Sequence, residues 1–148
     1  MYRIVNLTEE YIESLVELEK LCFDEPWTKG MFMGDLSSEY TCYFAAIDND
    51  NKVVGYAGMW VSVDEGQITN VAVHPDFRRK NIATELLKKL FDVCLQRGLQ
   101  SITLEVRQSN EKAIKLYEKN GFSSVGMRKN YYKNPAENAV LMTKTFND

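Results

Sequence analysis

Two side chains in the second half of the chain are of types that move protons. Glu105 lies on the polar side of an alternating run with Ser101 and Thr103, while Ile102, Leu104 and Val106 face the other way. A carboxylate there can take a proton directly or through a water, as a general base does. The same residue type also serves as a solvated group, or as the partner of an arginine such as Arg107. Tyr117 carries a phenol that can donate a proton in a cleft or simply pack a helix on a sheet. Asn110, between them, is a natural helix N-cap, and capping does not exclude contact with a ligand.

A second cluster is cationic. Ile68 to Val73 reads as a strand stopped by Pro75, and Arg78, Arg79 and Lys80 follow just before an amphipathic run. A helix that starts there leaves amide N–H groups unpaired and puts the positive end of its dipole beside the cations, a phosphate cradle. An ordinary strand–turn–helix with solvated charges has the same local pattern. With no Gly-Lys-Ser, no Gly-Lys-Thr and no set of three spaced glycines, neither the Walker loop nor the dinucleotide fingerprint is present. What remains is phosphate contact through backbone amides with cations nearby, which suits a diphosphate on a bulky cofactor.

Composition narrows the classes. A net charge of −3 argues against non-specific nucleic-acid binding. Cys22, Cys42 and Cys94 are odd in number and contain no Cys-x-x-Cys pair, which fits reduced thiols of a cytoplasmic protein. With His74 the single histidine, no metal site assembles at usual ligand spacing. No run approaches the roughly 18 apolar residues of a membrane span, so no membrane partner is expected. A length of 148 residues is expected to form a single domain, 1–148.

The elements that must position these groups can be read in order. Tyr2 to Val5 is a short strand; Thr8 reads as an N-cap for a helix to about Leu21, and Thr28 as the cap of a second through about Leu36. Thr41 to Ile47 and Val53 to Val61 flank Asp48-Asn49-Asp50-Asn51 as a hairpin. A turn at Asp64-Glu65-Gly66 leads into the strand before the basic cluster. Ile82, Leu86, Leu87, Leu90, Phe91 and Cys94 share one face of the next helix, and Gly98 follows as its C′ residue. Strand, helix and strand in that order predict a right-handed crossover with two parallel, adjacent strands, whose C-terminal ends are where ligands bind. A helix from Asn110 to Asn120-Gly121 follows. Phe122 to Met127 and Ala139 to Thr145 are then strands flanking an insertion, Arg128 to Asn138. The fold class is α/β (α+β mixed), with a mixed sheet.

Asn70-Val71-Ala72-Val73-His74-Pro75 with Arg78 to Ala83 resembles the acetyl-CoA motif of the GCN5-related N-acetyltransferase (GNAT) superfamily. Leu104 to Asn110, Ala113 to Tyr117 and Asn120-Gly121-Phe122 extend the resemblance over nearly the whole chain, and Arg128-Lys129-Asn130-Tyr131-Tyr132 is similar to the ribosomal-protein-alanine N-acetyltransferase branch. The resemblance implies a largely antiparallel sheet of about seven strands with about four helices, its parallel central pair forming the acetyl-CoA cleft. It implies that Val71, Ala72 and Val73 hold the pantetheine arm, an N–H such as that of Val73 polarising the thioester carbonyl. Arg78, Arg79, Lys80, Asn81, Ile82 and Ala83 would take the pyrophosphate, and Asn110 would position the arm. Glu105 would be the base, through water, and Tyr117 the acid for the departing thiolate. Tyr131 and Tyr132 would hold the substrate's first peptide unit, although an aromatic hairpin packed on the sheet is the alternative. Pro26 and Trp27 would form the opposite wall, although Trp27, like Phe23, is more often a core residue than the wall of a groove. Direct transfer needs no cysteine, and none stands in these motifs.

The departure is Asn81, where the family has glycine; asparagine is the non-glycine residue most tolerant of positive φ. The implied substrate is a peptide or protein N-terminus, most specifically the N-terminal alanine of a small-subunit ribosomal protein. An α-amine titrates about 2.5 units below a lysine amine, worth roughly 3 kcal/mol in deprotonation, so one carboxylate suits it better. Acetylation of a small amine or of lysine is the rival activity. A non-catalytic acyl-CoA-binding module would need neither Glu105 nor Tyr117.

Overall fold

The computed structural model describes residues 1–78 and 80–146. Among them, seven strands form one sheet in the order β1-β2-β3-β4-β5-β7-β6. These are β1 Tyr2–Asn6, β2 Thr41–Asp48, β3 Val53–Val61, β4 Glu65–Val73, β5 Ser101–Arg107, β6 Ser123–Lys133 and β7 Ala136–Thr145. The helices are α1 Ile12–Cys22, α2 Lys29–Leu36, α3 Ile82–Gln96 and α4 Glu111–Lys119. This is the expected mixed α/β class, with every strand pair antiparallel except β4 with β5. None of the described helices is long and apolar enough to cross a membrane.

Each face of the sheet has its own core. The apolar stripe of α3 puts Leu86, Leu87 and Leu90 fully out of solvent against Ile102, Leu104 and Met142; each such leucine contributes about 1.5–3 kcal/mol. On the other face Ile12, Leu15 and Leu18 of α1 and Phe32 of α2 pack on Tyr43 and Tyr56. The two tyrosine rings stack at 6.3 Å, with Phe32 edge-on to Tyr56 at 5.9 Å. Gly58 lies under the Tyr43 ring, where a Cβ would collide with it.

The parallel pair is short, and that creates the cleft. β4 and β5 pair only at Glu65↔Ser101, Gly66↔Ile102 and Gln67↔Thr103. Beyond Gln67, β4 stays with β3 as far as Val73, while β5 stays with β7 as far as Arg107. The two strands therefore diverge, opening a wedge at their C-terminal ends.

Three local expectations change. Thr8 precedes a 3₁₀ turn, Glu9–Tyr11, without a side-chain cap bond, so the α-helix proper starts later, at Ile12. The turn before β4 lies earlier than Asp64-Glu65-Gly66, because Glu65 and Gly66 already pair with β5. Arg128 to Asn138 is not an insertion: β6 and β7 form one long hairpin. β6 is exposed almost throughout and slips register between Ser124 and Gly126 and between Arg128 and Tyr132, so it has no clean alternation to read.

Candidate active site

The wedge holds two adjoining cavities. The first, of about 510 Å³, runs between the end of β4, the start of α3 and α4. His74 donates its amide to the Val54 carbonyl at 2.8 Å. Alternation along an antiparallel ladder then turns the peptide groups of Val71 and Val73 away from β3 and into the wedge, and those of Ala72 toward β3. The Val73 carbonyl is indeed met from the wedge side, by Arg78 Nε at 3.1 Å and Cys22 Sγ at 3.7 Å.

At the start of α3, Asn81 has φ 65° and ψ 15°, the left-handed conformation that glycine adopts most readily. The first helical bond is Glu85 N–H to the Asn81 carbonyl at 3.0 Å. The amides of Ile82, Ala83 and Thr84 thus have no intrahelical partner, and the Asn81 side chain caps none of them. All three residues line the cavity, at the positive end of a 15-residue helix. These amides fit a diphosphate, and the free edge of β4 fits an amide-bearing arm laid alongside it. Of the cationic cluster, Arg78 lines the cavity, whereas Lys80 sits outside it with Nζ 5.6 Å from the Phe77 ring centroid. Arg79 lies outside the described residues. Asn81→Ala is expected to destabilise the fold by about 1–2 kcal/mol, because alanine has no side chain to offset a left-handed backbone. Asn81→Gly should cost nothing comparable. Urea denaturation of both variants checks the contrast.

The second cavity, of about 530 Å³, lies between β4, β5, the β6–β7 hairpin and the α1–α2 loop. Glu105 faces it with a side chain only 12% exposed. Its Oε1 accepts from Gln67 Nε2 at 2.9 Å, and its Oε2 accepts from Arg128 Nε at 3.1 Å. The ion-pair partner is thus Arg128 and not the Arg107 of sequence proximity. Arg107 bonds Glu137 at 3.2 Å and the Pro135 carbonyl at 3.0 Å, and its guanidinium lies 4.3 Å from the Tyr132 ring centroid. Glu137 also accepts from the Ser109 amide, and these hydrogen bonds with Arg107 hold its carboxyl below the usual range. The hairpin tip is thereby fastened to the end of β5, which places Tyr131 and Tyr132 on the cavity wall, ring edge to face at 5.0 Å. Burial, with Tyr131 close by, pushes the Tyr132 phenol up to about 12.

Cys22, Phe23, Val71, Asn110 and Tyr117 line both cavities, so the two meet there. Tyr117 is 8% exposed. Burial, and to a lesser extent Tyr132, pushes its phenol up to about 12, so it stays protonated through the neutral range. Asn110 caps α4, Oδ1 accepting from the Ala113 amide at 3.2 Å.

One expected wall is misplaced. Pro26 and Trp27 line neither cavity; Trp27 packs on Phe32 at 5.3 Å, and its amide donates to the buried Glu19 carboxylate at 3.2 Å. Phe23, Asp24 and Glu25 form that side instead. The indole packs on the core beneath α1 and α2 because Glu19, itself held by the Tyr56 hydroxyl at 2.6 Å, ties the end of the loop down. Phe23, like Trp27 a candidate groove wall on sequence grounds, does line the site, whereas nothing in the sequence marks Gln67, Arg128 or Cys22. Among the described residues no group of three or more His, Cys, Asp or Glu is arranged to hold a metal ion.

Comparison with known proteins adds a family. The model of the acetyltransferase (GNAT) family matches residues 12–122. A ribosomal protein bS18-alanine N-acetyltransferase of Haemophilus ducreyi is 35% identical over 142 residues, 94% of this chain and 97% of the relative. The crystal structure of the ribosomal-protein-S18-alanine N-acetyltransferase from Escherichia coli superposes with TM-score 0.90 at 31% identity, covering 100% of this chain and 96% of that one. Arabidopsis thaliana NAA60 in complex with acetyl-CoA has the same fold, with TM-score 0.89 at 15% identity and 100% of both chains covered.

Proposed function

The chain belongs to the acetyltransferase (GNAT) family and is an acetyl-CoA-dependent N-acetyltransferase, and from that premise we propose that it acetylates the α-amine of a protein N-terminus. The N-terminal alanine of a small-subunit ribosomal protein is the physiological target in this reading, which places the enzyme in the cytoplasm. The relatives' activity supports that substrate. The observation that carries the reading is the meeting of two cavities at Tyr117 and Val71, with Glu105 facing only the second.

Acetyl-CoA lies in the first cavity, its pyrophosphate on the amides of Ile82 to Thr84 with Arg78 near, and its arm along Val71 and Val73. The incoming N-terminus occupies the second, its first peptide unit held by Tyr131 and Tyr132. Glu105, through a water, takes one proton from the ammonium. The freed lone pair attacks the thioester carbonyl, whose oxygen is stabilised by the Val73 N–H. The tetrahedral intermediate collapses with cleavage of the C–S bond, and Tyr117 gives its proton to the departing thiolate. Its own proton is replaced from the amine nitrogen by way of solvent, so products are the acetamide and CoA thiol.

The test is a peptide panel that varies the first residue and lysine content, incubated with acetyl-CoA and read by mass spectrometry. The acetyl group is expected on the α-amine, with alanine-initiated peptides modified fastest. Modification confined to lysine side chains would overturn the reading.

A further inference from the structure

Glu105 is held in a way that a lone general base does not require. Each carboxylate oxygen has its own donor, Gln67 at 2.9 Å from β4 and Arg128 at 3.1 Å from β6. The two donors arrive from strands on opposite sides of β5 and its β7 neighbour, so the carboxylate is gripped across the sheet. Gln67 stands at the last paired position before the strands diverge, opposite Thr103. Its amide therefore reaches Glu105 at the apex of the wedge. Among the described residues the other arginine near the cavity, Arg107, is engaged by Glu137 and Tyr132. Neutralisation of the Glu105 charge thus falls to Arg128.

We propose that Gln67 and Arg128 are positioning residues for the base, and that Arg128 also keeps the carboxylate from trapping the substrate as an ammonium ion. This rests on the reading of Glu105 as the base. An unpaired carboxylate next to the entering amine would favour its charged form and bind the ground state more tightly. Such binding does not speed the chemical step, because the reactive species is the neutral amine. A guanidinium already on the carboxylate removes that attraction while leaving lone pairs free to receive a proton, since two oxygens offer about four acceptor sites. Gln67 contributes orientation without charge. The two residues therefore predict different kinetic signatures.

Steady-state kinetics with an alanine-initiated peptide separate them. Arg128→Met should lower kcat about tenfold and also lower the peptide KM about threefold, the pattern of lost discrimination against the ground state. Arg128→Lys restores the charge without the fixed fork, so KM should return to the parent value and kcat only in part. Gln67→Leu should lower kcat about tenfold with KM unchanged, the signature of lost alignment alone. In a Glu105→Gln background neither Arg128→Met nor Gln67→Leu should change kcat further. A raised peptide KM in Arg128→Met would overturn the proposal by making Arg128 a direct peptide contact. So would an equal loss of kcat from Arg128→Met with and without Glu105, which would mark a structural effect. Parental activity in the single variant Glu105→Gln would instead remove the base itself, and that outcome is visible before any change at Arg128. Arg128 is 56% exposed at its side chain, so its variants are expected to fold.

Discussion

Glu105→Gln is expected to lower kcat by at least about 100-fold while leaving the affinity for acetyl-CoA at its parental value. General-base catalysis contributes about 10²–10⁴-fold, and glutamine keeps the shape but loses the proton affinity. The cofactor cavity is built from the end of β4, the start of α3 and α4, and Glu105 does not line it. Binding of acetyl-CoA, measured by calorimetry, therefore has no reason to change. The defect should deepen as pH falls below about 8, where an α-amine is mostly ammonium and must lose its proton on the enzyme. At pH 9 or above, where free amine is already abundant, the difference between variant and parent should narrow. A variant that keeps parental kcat at pH 7 would take Glu105 out of the proton path.

The contrast between what the chain disclosed and what it concealed follows from how far each feature reaches. The alternation at 101–106 put Glu105 on the polar face, and the crossover from β4 through α3 to β5 placed it beside the wedge. Asn81 was legible because a positive φ is a property of one residue and its immediate turn, and φ 65° is what an asparagine in a glycine position predicts. The capping role of Asn110 is equally local. By contrast, the donors to Glu105 are separated from it by 38 and 23 positions, and nothing local marks either as a partner. Proximity points to Arg107, which shares the face two residues on, yet the hairpin tip captures it first. The full length of that hairpin is not readable from the pattern, since an edge strand with two register slips has neither a buried face nor a regular period. Trp27 illustrates the same limit in reverse. Its aromatic bulk suited a wall, but a buried carboxylate on α1 holds its amide and turns the ring toward Phe32.

The short parallel pair has a consequence for how fold stability and activity divide. Residues that open the wedge do so by leaving backbone groups of β4 and α3 without partners, a local cost that the two packed cores offset. The base and its two donors are then placed on side chains outside both cores. Glu105 and Arg128 belong to neither core, and Glu105 alternates with Leu104 and Val106, which face the leucine stripe of α3. Substitutions there should therefore be read in turnover rather than in melting temperature.

Tyr117 tests that division most severely, because it is both buried and reactive in the proposed mechanism. Burial and the neighbouring Tyr132 account for its raised pKa. Among the described residues its hydroxyl makes no hydrogen bond, so Tyr117→Phe breaks none there and keeps the ring that meets Phe122 edge-on at 5.6 Å. The melting temperature should stay within about 2 °C, since the removed group contributes well under 1 kcal/mol to packing. Turnover should fall by about 100-fold, the lower end of the range for a general acid. The lower end is expected because a phenol near 12 is a weaker acid than a thiol near about 8.5, so full transfer to the thiolate is uphill and the proton moves as the C–S bond breaks. That reasoning supplies a sharper measurement than the rate alone. An acetyl thioester whose thiol is more acidic than that of CoA needs less assistance to leave, so it should recover much of the Tyr117→Phe rate relative to the parent enzyme. It should recover none of the Glu105→Gln defect, which lies on the amine side of the reaction. If the better leaving group helps both variants equally, the phenol is not the acid and Tyr117 is a packing residue at the junction of the two cavities.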